Sequence, residues 1–160
     1  MPEPATPAIE VIASTGVAYR VLRTQPAGSA EESAALQRIE IGALLLTLVV
    51  RRGDDDYLFL LVPGGRRFDW PKLRAHLGVS RLSMPDADEA KAVTGYERGA
   101  ITPFGASRAW PVLVDGAAMA HQTVAIGGGA RGVNVHLAPS DLVAALHAEV
   151  VDLSVPDRAA

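Results

Sequence analysis

The chain has 160 residues, of which 49% are hydrophobic and 21% are charged, and it contains no cysteine. This length and balance predict a single globular domain over residues 1–160, and no apolar run reaches the roughly 18 residues of a membrane-spanning helix. Without cysteine there is no disulfide framework, no thiolate nucleophile and no Cys-based zinc site. The formal net charge of −3 lacks the basic footprint of a nucleic-acid-binding protein, so neither DNA binding nor tight unaided RNA binding is expected.

The amino-terminal sequence, MPEPATPAIE, bears on the cellular location. It has acids and prolines where a secretory signal would have a basic patch followed by an apolar stretch. We therefore expect a cytoplasmic protein in which residues 1–6 form a frayed lead-in.

The first half of the chain predicts helices on either side of a β-hairpin. AIEVIASTG has helical spacing and ends at Gly16, and VAYRVLR alternates as a strand does. Ser29 and Glu32 in PAGSAEESAALQR have capping-box spacing, which predicts the start of a helix. Two apolar runs in IGALLLTLVVRRGDDDYLFLLVPGG flank the polar turn RRGDDD and predict a hairpin whose strands, apolar on both faces, are covered by helices. FDWPKLRAHLG follows as a helix capped by Asp69 and ended by Gly78.

The second half of the chain contributes most of the remaining sheet. SRLSM is predicted as a short strand, and PDADEAKAVTG as a helix that is acidic at its amino-terminal end and stops at Gly95. WPVLVDG, HQTVAIGGG and GVNVHLAP are strand-like runs punctuated by glycine, followed by the helix SDLVAALHA and a final segment, EVVDLS. Because helices and strands do not alternate strictly, this order predicts an α+β (mixed α/β) domain with a mixed sheet rather than a doubly wound parallel one.

Several common site chemistries find no support in the sequence. The four histidines fall at no metal-ligand spacing, so no metal or other cofactor is predicted. GGGARG, residues 127–132, resembles a phosphate cradle in composition but lacks the Lys-Ser/Thr pair of a P-loop. It is either a turn that needs positive φ or a functional backbone surface, and composition does not separate the two. No serine stands in a recognisable nucleophile elbow.

One connection concentrates glycine and proline in a way that a plain loop does not require. TGYERGAITPFG, residues 94–105, holds three glycines and a proline between a predicted helix and an apolar strand. Such a loop lets the backbone approach a ligand closely, while the proline restricts its shape.

The order of these segments resembles the YbaK family, the prolyl-tRNA synthetase editing-domain superfamily of aminoacyl-tRNA deacylases. The most specific match is to Thr-Gly-Tyr and Gly-x-x-x-Pro with a following Gly, which correspond to Thr94, Gly95, Tyr96, Gly99, Pro103 and Gly105. VPGGRRFD before this loop and GGGARG after it stand at the family's spacing, and the resemblance covers nearly the whole chain. It implies a mixed, partly barrel-like sheet with peripheral helices.

The resemblance also implies an activity and a site. A member of this family removes a wrongly attached amino acid, such as Cys, Ala or another small residue, from the 3′ end of a tRNA such as tRNA-Pro. It acts in trans to a synthetase, and prolyl- or cysteinyl-tRNA synthetase is the implied partner. Fixed backbone N–H groups can stabilise the charge that develops on an ester oxygen. The implied catalytic and substrate-binding positions are Gly99, Ala100, Ile101 and Thr102, stiffened by Pro103, with Gly128 and Gly129 forming the opposite wall.

The sequence departs from the family pattern at a position that matters for chemistry. The family has a substrate-holding lysine early in the first hairpin strand, and the ungapped alignment places Leu46 there. An arginine could take over this role, the substrate could differ, or hydrolysis could be lost; the arginines considered for it are Arg20, Arg23 and Arg98. Asn134 stands where some relatives carry an acid, and Thr24 and Gln25 stand near the family's histidine.

Two functions from different classes are therefore open. The first is a trans-editing aminoacyl-tRNA deacylase that uses the backbone of the Gly99 loop. The alternative is a catalytically silent relative that binds an aminoacyl or nucleotide ligand, or a synthetase, through the same pocket. Leu46 favours the silent protein, whereas the intact sequence from Gly99 to Gly105 favours retained ester chemistry.

Overall fold

A computed structural model describes residues 6–157 of the chain. In this range the helices are α1 Pro7–Thr15, α2 Ala30–Gln37, α3 Trp70–Leu77, α4 Ala87–Thr94 and α5 Pro139–Leu146. The strands are β1 Tyr19–Arg23, β2 Leu45–Gly53, β3 Asp56–Pro63, β4 Arg66–Phe68, β5 Val112–Asp115, β6 Val124–Gly127, β7 Val133–Leu137, β8 Glu149–Val151 and β9 Ser154–Pro156. The 3-10 segments Ile41–Ala43 and Gly116–Ala120 complete the regular structure in these residues.

The strands form three sheets, which confirms the predicted α+β class with mixed pairing. A four-stranded sheet has the order β2-β3-β5-β8, with β2 antiparallel to β3 and the other neighbours parallel. An antiparallel three-stranded sheet has the order β1-β7-β6, and β4 pairs with β9. The two larger sheets meet where Leu44 bridges Ala125 and diverge beyond that point, so the strands do not close into a barrel.

The buried strand β3 explains how the sheets and helices are layered. Phe59 and Leu61 point into the main core between the two larger sheets, which also receives side chains from α1 and α5. Leu58 and Leu60 point to the opposite face, where they pack with Leu73 of α3. The prediction of a strand apolar on both faces and covered by helices is therefore correct for β3.

The helices begin where the sequence places their caps. The Ser29 side chain accepts from the Glu32 N–H at 3.1 Å, and the Asp69 side chain accepts from the Lys72 N–H at 3.1 Å. Each bond satisfies one of the backbone donors that a helix start leaves without an intrahelical partner. The local signals were sufficient to place α2 and α3 because each capping side chain lies three residues before the N–H that donates to it.

Other predictions needed correction. SRLSM is not a strand: within it, Ser83 alone pairs, exchanging backbone bonds with Arg51 at the edge of β2. EVVDLS divides between β8 and β9, and β4 was not predicted. The strand β2 is not covered on both faces, because the Leu46 side chain is exposed.

The amino-terminal lead-in was predicted for residues 1–6. Residues 1–5 lie outside the described residues, whereas Thr6 is buried and its hydroxyl accepts from the Ile9 N–H at the start of α1. Among the described residues, every helix is too short or too polar to span a lipid bilayer.

Candidate active-site cleft

A cleft of about 450 Å³ opens where the two larger sheets diverge. Its walls are the segment before α2, the first half of β2, the loop that follows α4, and the turn between β6 and β7. Residues that line it include Thr24, Ser29, Ser33, Leu46, Thr47, Gly99, Ile101, Gly127, Arg131 and Asn134. This volume is within the range of small-molecule sites in proteins.

One wall of the cleft is the free edge of β2. The Gly64 N–H donates to the Leu44 carbonyl at 2.8 Å, and the register pairs Leu46 with Val62. In an antiparallel ladder the bonded residues alternate, so Leu46 bonds to β3 as Leu44 does, and the residue after it, Thr47, directs its N–H and C=O away from β3. The cleft therefore has a backbone donor and acceptor from Thr47 along this wall.

The opposite wall is the loop after α4, which buried contacts fix in shape. Tyr96 is buried, and its hydroxyl donates to the Phe104 carbonyl at 2.7 Å, closing the loop across eight residues. Burial raises the pKa of the Tyr96 phenol, so the hydroxyl stays protonated and able to donate. The Ser107 N–H donates to the Thr94 carbonyl at 2.8 Å at the base of the loop. The loop is therefore a fixed backbone surface rather than a free connection.

Two of the predicted loop residues line the cleft, and three lie behind it. Gly99 and Ile101 are lining residues, whereas Ala100, Thr102 and Pro103 are buried. The Ala100 N–H donates to the Glu97 carbonyl at 2.9 Å. The amides of Gly99, Ile101 and Thr102 have no acceptor among residues 6–157. The loop thus holds backbone donors beside the cleft that can serve a bound ligand.

Gly99 has a backbone conformation that favours glycine, and it lies close to the facing turn. Its φ is +92°, a backbone region that other residues rarely adopt. A Cβ at this position would lie 3.1 Å from Nε of Arg131, which approaches from the turn between β6 and β7. The two loops therefore meet above the cleft at Gly99.

The second predicted glycine pair lies deeper than the sequence indicated. Neither Gly128 nor Gly129 lines the cleft; the Gly128 carbonyl accepts from the Thr6 hydroxyl at 2.7 Å. A Cβ on Gly129 would lie 3.2 Å from Cε1 of Tyr96. The pair supports the Gly99 loop and α1, while the neighbouring residues of the same turn, from Ala130 to Asn134, face the cleft.

Leu46, which the resemblance aligns with the family lysine, lies in the cleft rather than in the core. It lines the cleft with 38% of its surface exposed. Asn134 also lines it and donates from Nδ2 to the Leu22 carbonyl at 3.3 Å, which leaves its side-chain oxygen open. No Asp, Glu or His occurs among the described residues that line the cleft.

The charged residue of the cleft was not among the arginines named from the sequence. Arg131 lines the cleft, and neither Arg20, Arg23 nor Arg98 does so. Arg20 instead borders a separate pocket with His136 and Asp141. Arg131 lies in the GGGARG segment, in which the sequence predicted only the glycines as site residues. Within residues 6–157, no group of three or more His, Asp and Glu residues could hold a metal ion.

Comparison with known proteins identifies the family. The model of the aminoacyl-tRNA editing domain matches residues 24–145. EbsC of Enterococcus faecalis, a candidate Cys-tRNA(Pro)/Cys-tRNA(Cys) deacylase, is 26% identical over 129 residues that cover 81% of this chain and 79% of EbsC. A proline–tRNA ligase of Thermosipho africanus is 33% identical over 78 residues that cover 49% of this chain and 14% of the ligase.

A solved structure has the same fold. It is a candidate trans-editing enzyme for prolyl-tRNA synthetase, with a TM-score of 0.83, 24% identity, and coverage of 95% of this chain and 99% of its own. Together these comparisons support a hydrolase that acts on aminoacyl-tRNA. Since the family model spans most of the chain and includes both loops that meet at Gly99, the chain belongs to the aminoacyl-tRNA editing domain family.

Proposed function

We propose that this protein is a trans-editing deacylase that hydrolyses the ester of a tRNA carrying a wrongly attached small amino acid, Cys or Ala above all. The observation that carries the proposal is the pair of cleft-lining residues Gly99 and Ile101, whose amides have no acceptor among residues 6–157. The preference for Cys or Ala draws on the activity in the name of EbsC. The whole chain, residues 1–160, acts as one editing domain.

The proposed reaction requires little side-chain chemistry. Water attacks the ester carbonyl, and the negative charge that develops on the carbonyl oxygen is stabilised by the N–H groups of Gly99 and Ile101. The acyl–oxygen bond to the ribose breaks, the leaving ribose oxygen takes a proton from the attacking water, and the products are the free amino acid and the uncharged tRNA. The neighbouring ribose hydroxyl of the substrate assists the water, since no carboxylate or imidazole lines the cleft in the described residues.

The shape of the cleft supports a small side chain. Leu46 and Leu48 stand on one wall and Ile101 on the other, so the aminoacyl group meets aliphatic surface. A larger aliphatic side chain would compete with these leucines for space. A charged side chain would lose its hydration without gaining a partner. Neutral acceptors, such as the Thr47 carbonyl and the Asn134 side-chain oxygen, are the groups available to the substrate ammonium.

The partners follow from the proposed substrate. The 3′ end of an aminoacyl-tRNA occupies the cleft, and this substrate places the activity in the cytoplasm. With a formal net charge of −3, the chain attracts the tRNA backbone weakly. A prolyl- or cysteinyl-tRNA synthetase that holds the same tRNA would supply the missing affinity, in line with the similar segment inside the Thermosipho africanus ligase.

A second candidate function is a silent binding protein that uses the same cleft. Leu46 favours it, because an aliphatic side chain with 38% of its surface exposed occupies the position of the family lysine. Such a protein would bind an aminoacyl or nucleotide ligand, or a synthetase, without hydrolysing the ester.

A deacylation panel separates the two candidates. Purified protein is incubated with tRNAs charged with Ala, Cys, Ser or Thr, and both the rate of ester loss and tRNA binding are measured. The editing enzyme accelerates hydrolysis of at least one small aminoacyl-tRNA over the protein-free rate. Binding without acceleration of any member would establish the silent protein and end the enzymatic proposal.

A further inference from the structure

We propose that Arg131 binds the phosphate that joins the terminal adenosine of the tRNA to the nucleotide before it. The inference rests on the proposed function, since it assigns the part of the aminoacyl-tRNA that one side chain of the cleft recognises. Arg131 is the charged residue among the described residues that line the cleft.

The Arg131 guanidinium lies within the cleft, beside the facing loop. The side chain leaves the turn between β6 and β7 and reaches the facing loop. There, a Cβ on Gly99 would lie 3.1 Å from Nε, 3.6 Å from Nη2 and 3.7 Å from Cζ. A Cβ on Gly99 would thus lie nearer to Nε and Nη2 than to Cζ, so the edge of the guanidinium that carries these two nitrogens faces Gly99. A ligand in the cleft is thereby placed beside a planar cation.

The Arg131 guanidinium has no acidic partner among residues 6–157. The ion pairs of the chain engage other basic residues, including Arg51, Arg52, Arg66 and Arg108, and no hydrogen bond from the Arg131 side chain is found in this range. No carboxylate lines the cleft there. A guanidinium in a concave site without a carboxylate presents its N–H donors to a ligand.

The backbone beside Arg131 favours the same ligand charge. The amides of Ala130, Arg131 and Gly132 have no acceptor among the described residues, and all three residues line the cleft. Successive backbone N–H groups in such a turn form a concave surface that attracts anions. Guanidinium and amide donors together match a phosphate, because an arginine fork can bond two phosphate oxygens at once.

The terminal adenosine fixes the position of this phosphate relative to the ester. The ester lies at the ribose of that nucleotide, near the amides of the Gly99 loop, and its 5′ phosphate lies on the other side of the same ribose. Arg131 packs on Gly99. One ligand can therefore reach the loop amides with its ester and the guanidinium with its phosphate.

The test compares two small probes that differ by this phosphate. Adenosine 5′-monophosphate and adenosine are titrated into the full chain, and their dissociation constants are measured from NMR chemical shifts. We expect wild type to bind the monophosphate about tenfold more tightly than adenosine, as a charge-assisted contact to phosphate provides. Arg131→Gln should reduce this ratio to below about twofold, and Arg131→Lys should retain an intermediate ratio.

The control for net charge is Arg81→Gln, which removes another exposed arginine that does not line the cleft. This variant should keep the wild-type ratio. Equal ratios for wild type and Arg131→Gln, or a wild-type protein that does not prefer the monophosphate, would overturn the inference. These outcomes are separate from the proposed function, because deacylation of a mischarged tRNA by wild type is measured on its own and does not depend on the ratio.

Discussion

At the scale of single residues, the chemistry of the cleft depends on what faces the Gly99 loop. Leu46 stands on the β2 wall and Arg131 on the opposite side, so an aliphatic group and a guanidinium line the same cleft. A guanidinium keeps its charge but holds it in a fixed planar fork. We therefore expect the site to bind an anionic substrate end and to support the ester step less than an ammonium at position 46 would.

Replacing Leu46 with lysine tests this view of the cleft. We expect Leu46→Lys to raise kcat/KM for deacylation by about tenfold, because a partly desolvated cation beside the ester stabilises developing negative charge. Hydrolysis of the most reactive aminoacyl-tRNA of the panel is the measurement. Leu46→Gln is the matched control, since it has similar length and polarity without charge. Equal rates for wild type and both variants would show that the missing ammonium does not limit the reaction.

At the scale of elements, the helices and the central strand could be predicted because their signals are local. The caps Ser29 and Asp69 each bond a backbone N–H three residues ahead, and β3 is buried from Tyr57 to Pro63. By contrast, the strand Arg66–Phe68 has three residues and depends on Ser154–Pro156, which lie far along the chain. SRLSM has strand-like composition but meets only the edge of β2 at Ser83, so no ladder extends from it.

The sequence indicated a loop that does border the cleft, but it did not indicate which of the loop residues line the cleft. The glycine and proline pattern does not tell which backbone atoms face outward. Ala100 is turned inward by its bond to Glu97, and the cleft side of the second turn begins at Ala130 rather than at Gly128 or Gly129. These orientations depend on how α1 and Tyr96 pack behind the loops. A short sequence motif carries no information about that packing.

The packing of the loop against α1 predicts a stability cost at Gly105. This residue has φ +70°, and a Cβ there would lie 2.5 Å from the backbone carbon of Pro7, so Gly105→Ala must displace the start of α1. We expect the free energy of unfolding to fall by about 2–4 kcal/mol, measured by urea denaturation.

Gly16→Ala provides the matched control for this substitution. Gly16 has φ +81°, but a Cβ there would meet no atom within 4 Å. Its cost should be limited to the backbone strain, about 1 kcal/mol. Similar losses for the two variants would contradict the close contact between Gly105 and α1.

At the scale of the whole molecule, a buried histidine links the stability of the β1-β7-β6 sheet to pH. The ring Nε2 of His136 lies 2.8 Å from Oε1 of Gln37 in α2, and the groups that border its pocket include Arg20 and Asp141. Burial, with a smaller effect of the Arg20 charge, lowers the pKa of His136. The imidazole is therefore neutral in the folded protein at neutral pH.

This lowered pKa gives the stability a defined pH dependence. Below about pH 6.5 the unfolded chain binds a proton at His136 that the folded chain resists, so the free energy of unfolding falls as pH drops toward the folded pKa. The fall between pH 7.5 and pH 5.5, measured by urea denaturation, should be smaller in His136→Gln than in wild type. His121→Gln, outside this pocket, is the control. An identical pH dependence in wild type and His136→Gln would contradict the assignment.

The central claim is that the backbone of the Gly99 loop carries out ester hydrolysis, and a single-turnover deacylation rate tests it most directly. Wild type, Gly99→Val and the control Gly78→Val are compared on one mischarged tRNA; Gly78 has φ +69° with no atom within 4 Å of a Cβ, so it reproduces the backbone strain away from the cleft. We predict a loss of about 100-fold or more for Gly99→Val and little change for Gly78→Val. Equal rates for wild type and Gly99→Val would contradict the account.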